Sequence, residues 1–222
     1  MLYDNAQLIN VLNNFWLLTK KPAYKNKIYE TVNWLETDML DSSGAFYSSY
    51  DADSEGVEGK YYVWSYDEVK NILGKDFLFF NKIFNIKEDG NWEGSNVLGC
   101  YGNLHINNRD YKKLKILIEA LYQYRNNRPK PTCDNKILCD WNGLIIDSLA
   151  KSASIFKDKK LLKLATEAFN FIKNDMYDGS TLYHSNCNMI NKHEGMLEDY
   201  AYIIRAGCLL YTSDAADDVH RV

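Results

Sequence analysis

The stretch that decides the fold is WNGLIIDSL at residues 141–149, because it repeats DNAQLINVL at residues 4–12 without a gap. The same offset of 137 positions also aligns DMLD at 38–41 with DMYD at 175–178. A third, partial copy begins at EDYAYII, residues 198–204. A repeated supersecondary unit explains these matches better than chance.

Each copy predicts a pair of helices joined by a short turn. In the first copy Leu8, Leu12 and Phe15 are spaced to share one helical face. Polar breaks at 20–22 and 157–159 then separate the first helix of each pair from the second. Repeated helical hairpins of this length build either a solenoid or a closed α/α barrel.

An insertion at about residues 50–135 separates the first two copies. Within it, residues 60–64 predict a short strand, residues 65–68 a capping box and residues 108–127 an amphipathic helix. So long an insertion argues against a regular solenoid, and six hairpins would need about 350 residues. We therefore predict an all-α-dominated fold, an incomplete (α/α)6 toroid over residues 1–207 with a small mixed α/β insertion.

The end of the chain differs in character from the hairpins. Residues 208–217 read CLLYTSDAAD, which resembles a translated sequencing adapter. We interpret residues 208–222 as a non-native tail, and the alternative is a genuine polar tail.

Composition excludes several classes of protein. The 222 residues are 46% hydrophobic and 25% charged with a net charge of −4, which is typical of a globular protein without a nucleic-acid partner. The sequence has no apolar run long enough for a membrane span and no leader, so we expect a cytoplasmic protein. The five cysteines include no Cys-x-x-Cys pair, and no dinucleotide or phosphate-loop motif occurs. Neither a metal nor another cofactor is predicted.

Hairpin topology predicts which end of the barrel carries function. The first helix of a hairpin starts at the end where its second helix finishes, so the long loops 41–58 and 177–197 should share one rim with the helix starts at 141 and 199. Loops held by a rigid scaffold commonly carry function. This rim is the candidate active face.

The loop FYSSYDADSEGVEGK at residues 46–60 combines aromatic and acidic side chains, which suits a sugar site. Its carboxylates would accept sugar hydroxyls or act as acid and base. A calcium loop is an alternative, but its twelfth position is Tyr62 instead of glutamate. A structural loop, with acids bonded to backbone amides and Lys60, is another. The acids proposed for the sugar site are Asp51, Asp53, Glu55 and Glu58.

Further candidates come from the other loops and helix starts. Asp199 would be a second carboxylate at a helix N-terminus, with an N-cap as its structural alternative. Tyr47, Trp92 and Trp141 would stack on the sugar, although both tryptophans also suit simple packing. The remaining candidate substrate-binding residues are Glu93, Asn142 and His184.

Several motifs together resemble a known family. MLYDNAQL at 1–8, the loop from 46, GNWEGSNVL at 90–98, the stretch 128–151 and EDYAYII resemble the thioredoxin-domain-containing family that includes spermatogenesis-associated protein 20. The resemblance covers nearly all of residues 1–206. It departs at Ala45, where the family usually has glycine, at Cys139-Asp140, where it has Thr-Ala, and at Glu198, where it has aspartate.

The resemblance implies an N-terminal thioredoxin-like domain followed by a toroid related to six-hairpin glycosidases and N-acylglucosamine 2-epimerases. This chain would be an internal piece of that toroid, without the thioredoxin-like domain and the last hairpins. A carbohydrate-processing or carbohydrate-binding domain with a sugar ligand is the function implied. The alternative is a non-catalytic docking scaffold for the redox domain or its client protein.

Overall fold

The structure is a computed structural model that describes residues 1–99 and 108–218. Helices dominate and the strands are short, which confirms the predicted fold class. The helices are α1 (Leu2–Thr19), α2 (Pro22–Trp34), α3 (Tyr66–Leu73), α4 (Phe77–Phe84), α5 (Asn108–Arg125), α6 (Cys139–Phe156), α7 (Lys159–Asp175) and α8 (Leu197–Asp218). The strands are β1 (Ser49–Tyr50), β2 (Asp53–Ser54), β3 (Val57–Glu58), β4 (Cys133–Asp134), β5 (Ile137–Leu138), β6 (Tyr183–Cys187) and β7 (Ile190–Glu194).

The chain divides into two compact units. Unit 1 comprises Met1–Tyr50 and Cys133–Val222, and unit 2 comprises Asp51–Thr132. Within the described residues, no helix combines the length and the apolar character that crossing a membrane requires.

Unit 1 contains the predicted helical hairpins. Helix α6 contacts α1, α8 and its own hairpin partner α7. The first helices of both complete hairpins end at equivalent lysines, Lys20 and Lys157, with φ of 55° and 52°. Asp158 then caps α7 by accepting the backbone N–H groups of Lys160 and Leu161. The repeat therefore reproduces both the helices and the backbone conformation between them.

The core of unit 1 fills the space between these helices. Most of its buried side chains come from α1, α2, α6 and α7, and others come from residues 35–46 and from α8. On α1 the predicted shared face is wrong in part, because Leu12 is buried whereas Leu8 and Phe15 are exposed. Fully buried members are Leu2, Ile9, Ile28, Leu35, Ile145, Ile146, Leu149 and Leu161.

Three small antiparallel sheets accompany the helices. β1 pairs with β4, β2 pairs with β3, and β5, β6 and β7 form one sheet in that order. Leu138 of β5 pairs with Ser185 of β6, and Cys139, the residue that follows β5, begins α6. The three-stranded sheet is thus covalently continuous with the start of α6, which matters for the site described below.

Unit 2 has its own core, built on α3, α4 and α5. Ser65 caps α3 by accepting the N–H of Glu68, as the capping box predicts. The strand predicted at residues 60–64 is wrong. Tyr62 and Val63 instead donate to the carbonyl of Gly59 in a turn, and Arg128 binds the outward carbonyls of Tyr61 and Val63.

Candidate active site

Three side chains that can exchange protons or bind a metal ion lie close together in unit 1. Asp140 lies in the first turn of α6, His184 on β6 and Asp199 in the first turn of α8. One nitrogen or oxygen from each lies within 4.8 Å of the others. His184 and Asp199 are among the residues predicted from the sequence, whereas Asp140 is not, and its only signal is the departure from the family pattern beside Trp141.

Local folding explains why these residues meet. The pairing of Leu138 with Ser185 places His184 beside the start of α6. Helix α8 approaches α6 so closely that a Cβ added at Gly143 would lie only 2.7 Å from Cβ of Tyr202. A glycine at this crossing therefore brings the N-terminal turns of both helices together.

Asp199 organises the cluster from its centre. Its side chain is buried, and its carboxylate accepts the backbone N–H groups of Asp140 (2.9 Å) and Met196 (2.8 Å). Nδ1 of His184 lies 3.0 and 3.1 Å from the two carboxylate oxygens. Since a carboxylate only accepts, Nδ1 is the nitrogen that carries the hydrogen. Nε2 of His184 has no hydrogen-bond partner among the described residues.

Burial and negative charge set the protonation of the neighbouring groups. Burial, together with the charge of Asp199, raises the pKa of the Asp140 carboxyl, against the opposing effects of the Trp141 N–H and His184. Burial also raises the pKa of the Cys139 thiol, and both carboxylates add to that rise. Cys139 therefore stays a thiol at neutral pH.

The acidic part of the loop at residues 46–60, namely residues 51–60, lies in unit 2 and forms a small hairpin. Glu55 and Gly56 make its two-residue turn with φ of 54° and 75°, between β2 and β3. Asp51 accepts the N–H of Asp53, and Lys60 pairs with Glu55 at 2.8 Å. These are the contacts of the structural-loop alternative. All four predicted acids, Glu58 included, are exposed. Among the described residues, they form no cluster able to hold a metal ion.

Trp92 and Glu93 form a second tight turn within unit 2. Trp92 and Ser95 exchange backbone hydrogen bonds, and Glu93 and Gly94 have φ of 45° and 75°. The Trp92 ring packs across Gly59, where a Cβ would lie 3.2 Å from the ring. Trp92 thus joins its own turn to the acidic loop.

The remaining candidates lie in unit 1 and are largely engaged. Tyr47 donates its hydroxyl to Asp41 at 2.6 Å, and the Trp141 ring lies 4.8 Å from that of Tyr3. Asn142 is buried and bonds both backbone groups of Phe46 and the carbonyl of Leu138. Its amide fixes the start of α6 to the preceding loop, which leaves it no group that faces solvent.

Comparison with known proteins places these features in context. No protein-family model matches the chain. It is 29% identical over 95% of its length to spermatogenesis-associated protein 20 from Homo sapiens, and equally identical over the same share to the protein of that name from Mus musculus. The chain spans 32% of each of these relatives, about a third of their length.

Among solved structures, cellobiose 2-epimerase from Spirochaeta thermophila DSM 6192 aligns with a TM-score of 0.32 and 13% identity. The alignment covers 94% of this chain and 52% of the epimerase. The sequence comparison confirms the resemblance that the motifs indicate: the chain is similar to about a third of spermatogenesis-associated protein 20.

Proposed function

We propose that this chain is a carbohydrate-processing part of a helical toroid, in which His184 exchanges a proton with a bound sugar. One observation carries the proposal. Buried Asp199 holds Nδ1 of His184 at 3.0 Å and leaves Nε2 without a partner among the described residues. The imidazole side chain is 24% exposed, so a ligand can reach it from solvent.

The chemistry follows from the carboxylate–imidazole pair. Asp199 fixes the ring orientation and the hydrogen on Nδ1, and it stabilises the positive charge that forms when Nε2 takes a proton. A sugar offers two kinds of proton to such a base, from a hydroxyl or from the carbon beside an open-chain carbonyl. Because the same Nε2 can return the proton on the same face to the neighbouring carbon, the pair alone suits isomerisation. Epimerisation would also need the open-chain intermediate to turn its other face to Nε2, and hydrolysis would need a second group to protonate the leaving oxygen.

Sugar binding would draw on the aromatic and acidic side chains predicted for it. In unit 1 the partly buried Trp141 adjoins Asp140 in the first turn of α6 and offers a ring for stacking. Asp51, Asp53, Trp92 and the other residues of unit 2 remain proposed contacts. The thioredoxin-like partner domain and the cytoplasmic location likewise remain proposals from the resemblance.

The docking-scaffold alternative draws on exposed apolar side chains. One face of α1 exposes four of them at helical spacing, and α8 exposes others. Such faces are typical of contact with another protein segment. They are Leu8, Val11, Phe15 and Leu18 on α1, and Leu197 and Ile204 on α8.

The test is proton exchange in D₂O, followed by NMR on a panel of reducing mono- and disaccharides. We expect deuterium to enter the carbon beside the carbonyl, or a glycosidic bond to break. His184→Gln should reduce the rate by about 10²–10⁴-fold. His193→Gln, on exposed β7, is the matched control and should leave the rate unchanged. An unchanged rate in His184→Gln, or no turnover of any sugar, contradicts the proposal and favours the docking scaffold.

A further inference from the structure

We propose that Asp140, His184 and Asp199 together bind one divalent transition-metal ion, with Zn²⁺ as the best-fitting ion. The proposal goes beyond sugar processing and uses the other nitrogen of His184. When the ion binds, the hydrogen would move from Nδ1 to Nε2, so that Nδ1 ligates the ion and Nε2 donates to a sugar oxygen. The proton exchange proposed above therefore belongs to the ion-free protein, and the ion-loaded site binds a sugar without acting as its base.

Geometry favours a shared ion. The three ligand atoms come from α6, β6 and α8, and all lie within 4.8 Å of one another. Zinc holds nitrogen and oxygen ligands at about 2.0–2.2 Å, so ligand atoms around it lie about 3–4 Å apart. Nδ1 of His184 and Oδ2 of Asp199 already lie 3.0 Å apart. Since no pair of the three atoms is more than 4.8 Å apart, a shift of about 1 Å is enough to bring the set within the range of one zinc ion.

Charge supplies an independent reason. Asp199 is fully buried and Asp140 partly so, yet in the described part of the chain neither carboxylate has a lysine or arginine within 4.0 Å. Asp147, the other buried aspartate, is paired with Arg205 at 2.8 Å. Burying a carboxylate without a cation is strongly unfavourable. A protonated His184 balances one negative charge, whereas a divalent ion balances both.

The donor set selects the type of ion. An imidazole nitrogen with two carboxylates suits Zn²⁺ or Mn²⁺, whereas Ca²⁺ and Mg²⁺ prefer oxygen ligands alone. The backbone N–H groups of Asp140 and Met196 hold the Asp199 carboxylate in place, as groups behind a metal ligand commonly do. Three protein ligands leave at least one position on the ion open for water or a substrate oxygen.

The experiment titrates the chelator-treated full chain with ZnCl₂, MnCl₂ and CaCl₂ by calorimetry, with no sugar present. We expect one Zn²⁺ per chain, weaker Mn²⁺ and no Ca²⁺. Co²⁺ substitution should give a visible spectrum from a nitrogen- and oxygen-ligated ion. Because the sugar reaction plays no part, this result and the proposed function can each fail alone.

Asp140→Asn is the decisive variant. It should weaken Zn²⁺ binding at least 10-fold, and it should fold because Asp199 is held by the backbone N–H of residue 140 and not by its side chain. Glu198→Gln, an exposed acid beside Asp199, is the matched control and should bind like the original chain. Circular dichroism checks that both variants fold. Absence of one-to-one Zn²⁺ binding, or equal affinity in Asp140→Asn and Glu198→Gln, overturns the proposal.

Discussion

Two tyrosines of unit 1 show what single residues contribute, because Tyr29 links the first hairpin to the second and Tyr47 holds its own loop. Tyr29 of α2 donates to Asp158, the cap of α7, at 2.8 Å, and Tyr47 donates to Asp41 at 2.6 Å. Burial is the main cause and the hydrogen bond to Asp158 the second, and together they raise the pKa of Tyr29 to about 12. For Tyr47 the hydrogen bond to Asp41 is the main cause and burial the second, and together they raise its pKa to about 12.

These shifts predict a loss of stability at alkaline pH. An unfolded tyrosine has a pKa of about 10, so the unfolded chain releases these protons first. The stabilisation is therefore complete below pH 10 and is lost as the pH rises from 10 through 12. Urea unfolding at pH 8, 10, 11 and 12 should show a shallower decline for Tyr29→Phe/Tyr47→Phe than for the original chain. Tyr211→Phe, at an exposed position, serves as control, and parallel declines in all three proteins would refute the assignment.

At the scale of elements, the crossing of α6 and α8 determines whether the site can form. Gly143 permits the close approach, and the first turns of the same two helices carry Asp140 and Asp199. The repeat already placed Ala6, Gly143 and Ala201 at equivalent small positions. Small residues at these positions thus form part of the repeat.

Gly143→Ala should destabilise the chain, because the new Cβ would lie 2.7 Å from Cβ of Tyr202 and 3.0 Å from its backbone carbon. Overpacking of this kind costs about 1–3 kcal/mol. In Gly207→Ala the new Cβ would meet only ring atoms of Phe169, at 3.2 and 3.3 Å. That ring can turn, and alanine favours a helix by about 0.5–1 kcal/mol. The urea midpoint of Gly143→Ala should therefore lie clearly below that of Gly207→Ala, with the original chain between them or close to Gly207→Ala. Equal midpoints of the two variants would contradict the packing account.

Some elements were predictable because their causes are local. Apolar spacing predicted both complete hairpins, and the capping box predicted the start of α3 at Tyr66. The strand expected at 60–64 failed for a long-range reason. Arg128, more than sixty positions later, binds the Tyr61 and Val63 carbonyls and holds a turn there. Aromatic content alone did not contain that information.

At the scale of the molecule, a polar ladder joins the three hairpins of unit 1. Asn10, Asp147 and Arg205 occupy equivalent repeat positions, offset by 137 and 58 residues, on α1, α6 and α8. Asn10 donates to Asp147 at 3.0 Å, and Arg205 reaches both carboxylate oxygens, at 2.8 and 3.0 Å. The side chain of Asp147 is 3% exposed and that of Arg205 58%.

Removing Arg205 alone should lower the free energy of unfolding more than removing Arg205 and Asp147 together. Arg205→Met leaves a buried carboxylate with only Asn10, which we expect to destabilise the chain by about 1–3 kcal/mol, below the range for a fully buried pair because Arg205 is half in solvent. Asp147→Leu combined with Arg205→Met should recover part of that loss. A double-mutant cycle from urea unfolding measures the coupling free energy between Asp147 and Arg205. The control is Lys151→Met, which removes an exposed contact with Asn14 at another pair of equivalent repeat positions. Coupling near zero would show that the ladder contributes nothing.

The sequence by itself determined the repeat, the helical hairpins, the polar breaks between their helices and the kinds of side chain available for chemistry. These depend on spacing within one turn or one repeat, which a single chain displays directly. Only the tertiary structure decided that Asp140, His184 and Asp199 meet, because they are separated by 44 and 15 positions and are joined through strand pairing and a helix crossing. It likewise showed that the buried amide of Asn142 is taken up by the backbone and that Asp147, not Asp199, has an arginine. Burial and long-range pairing decide those outcomes, and neither can be read from residues that lie close together in sequence.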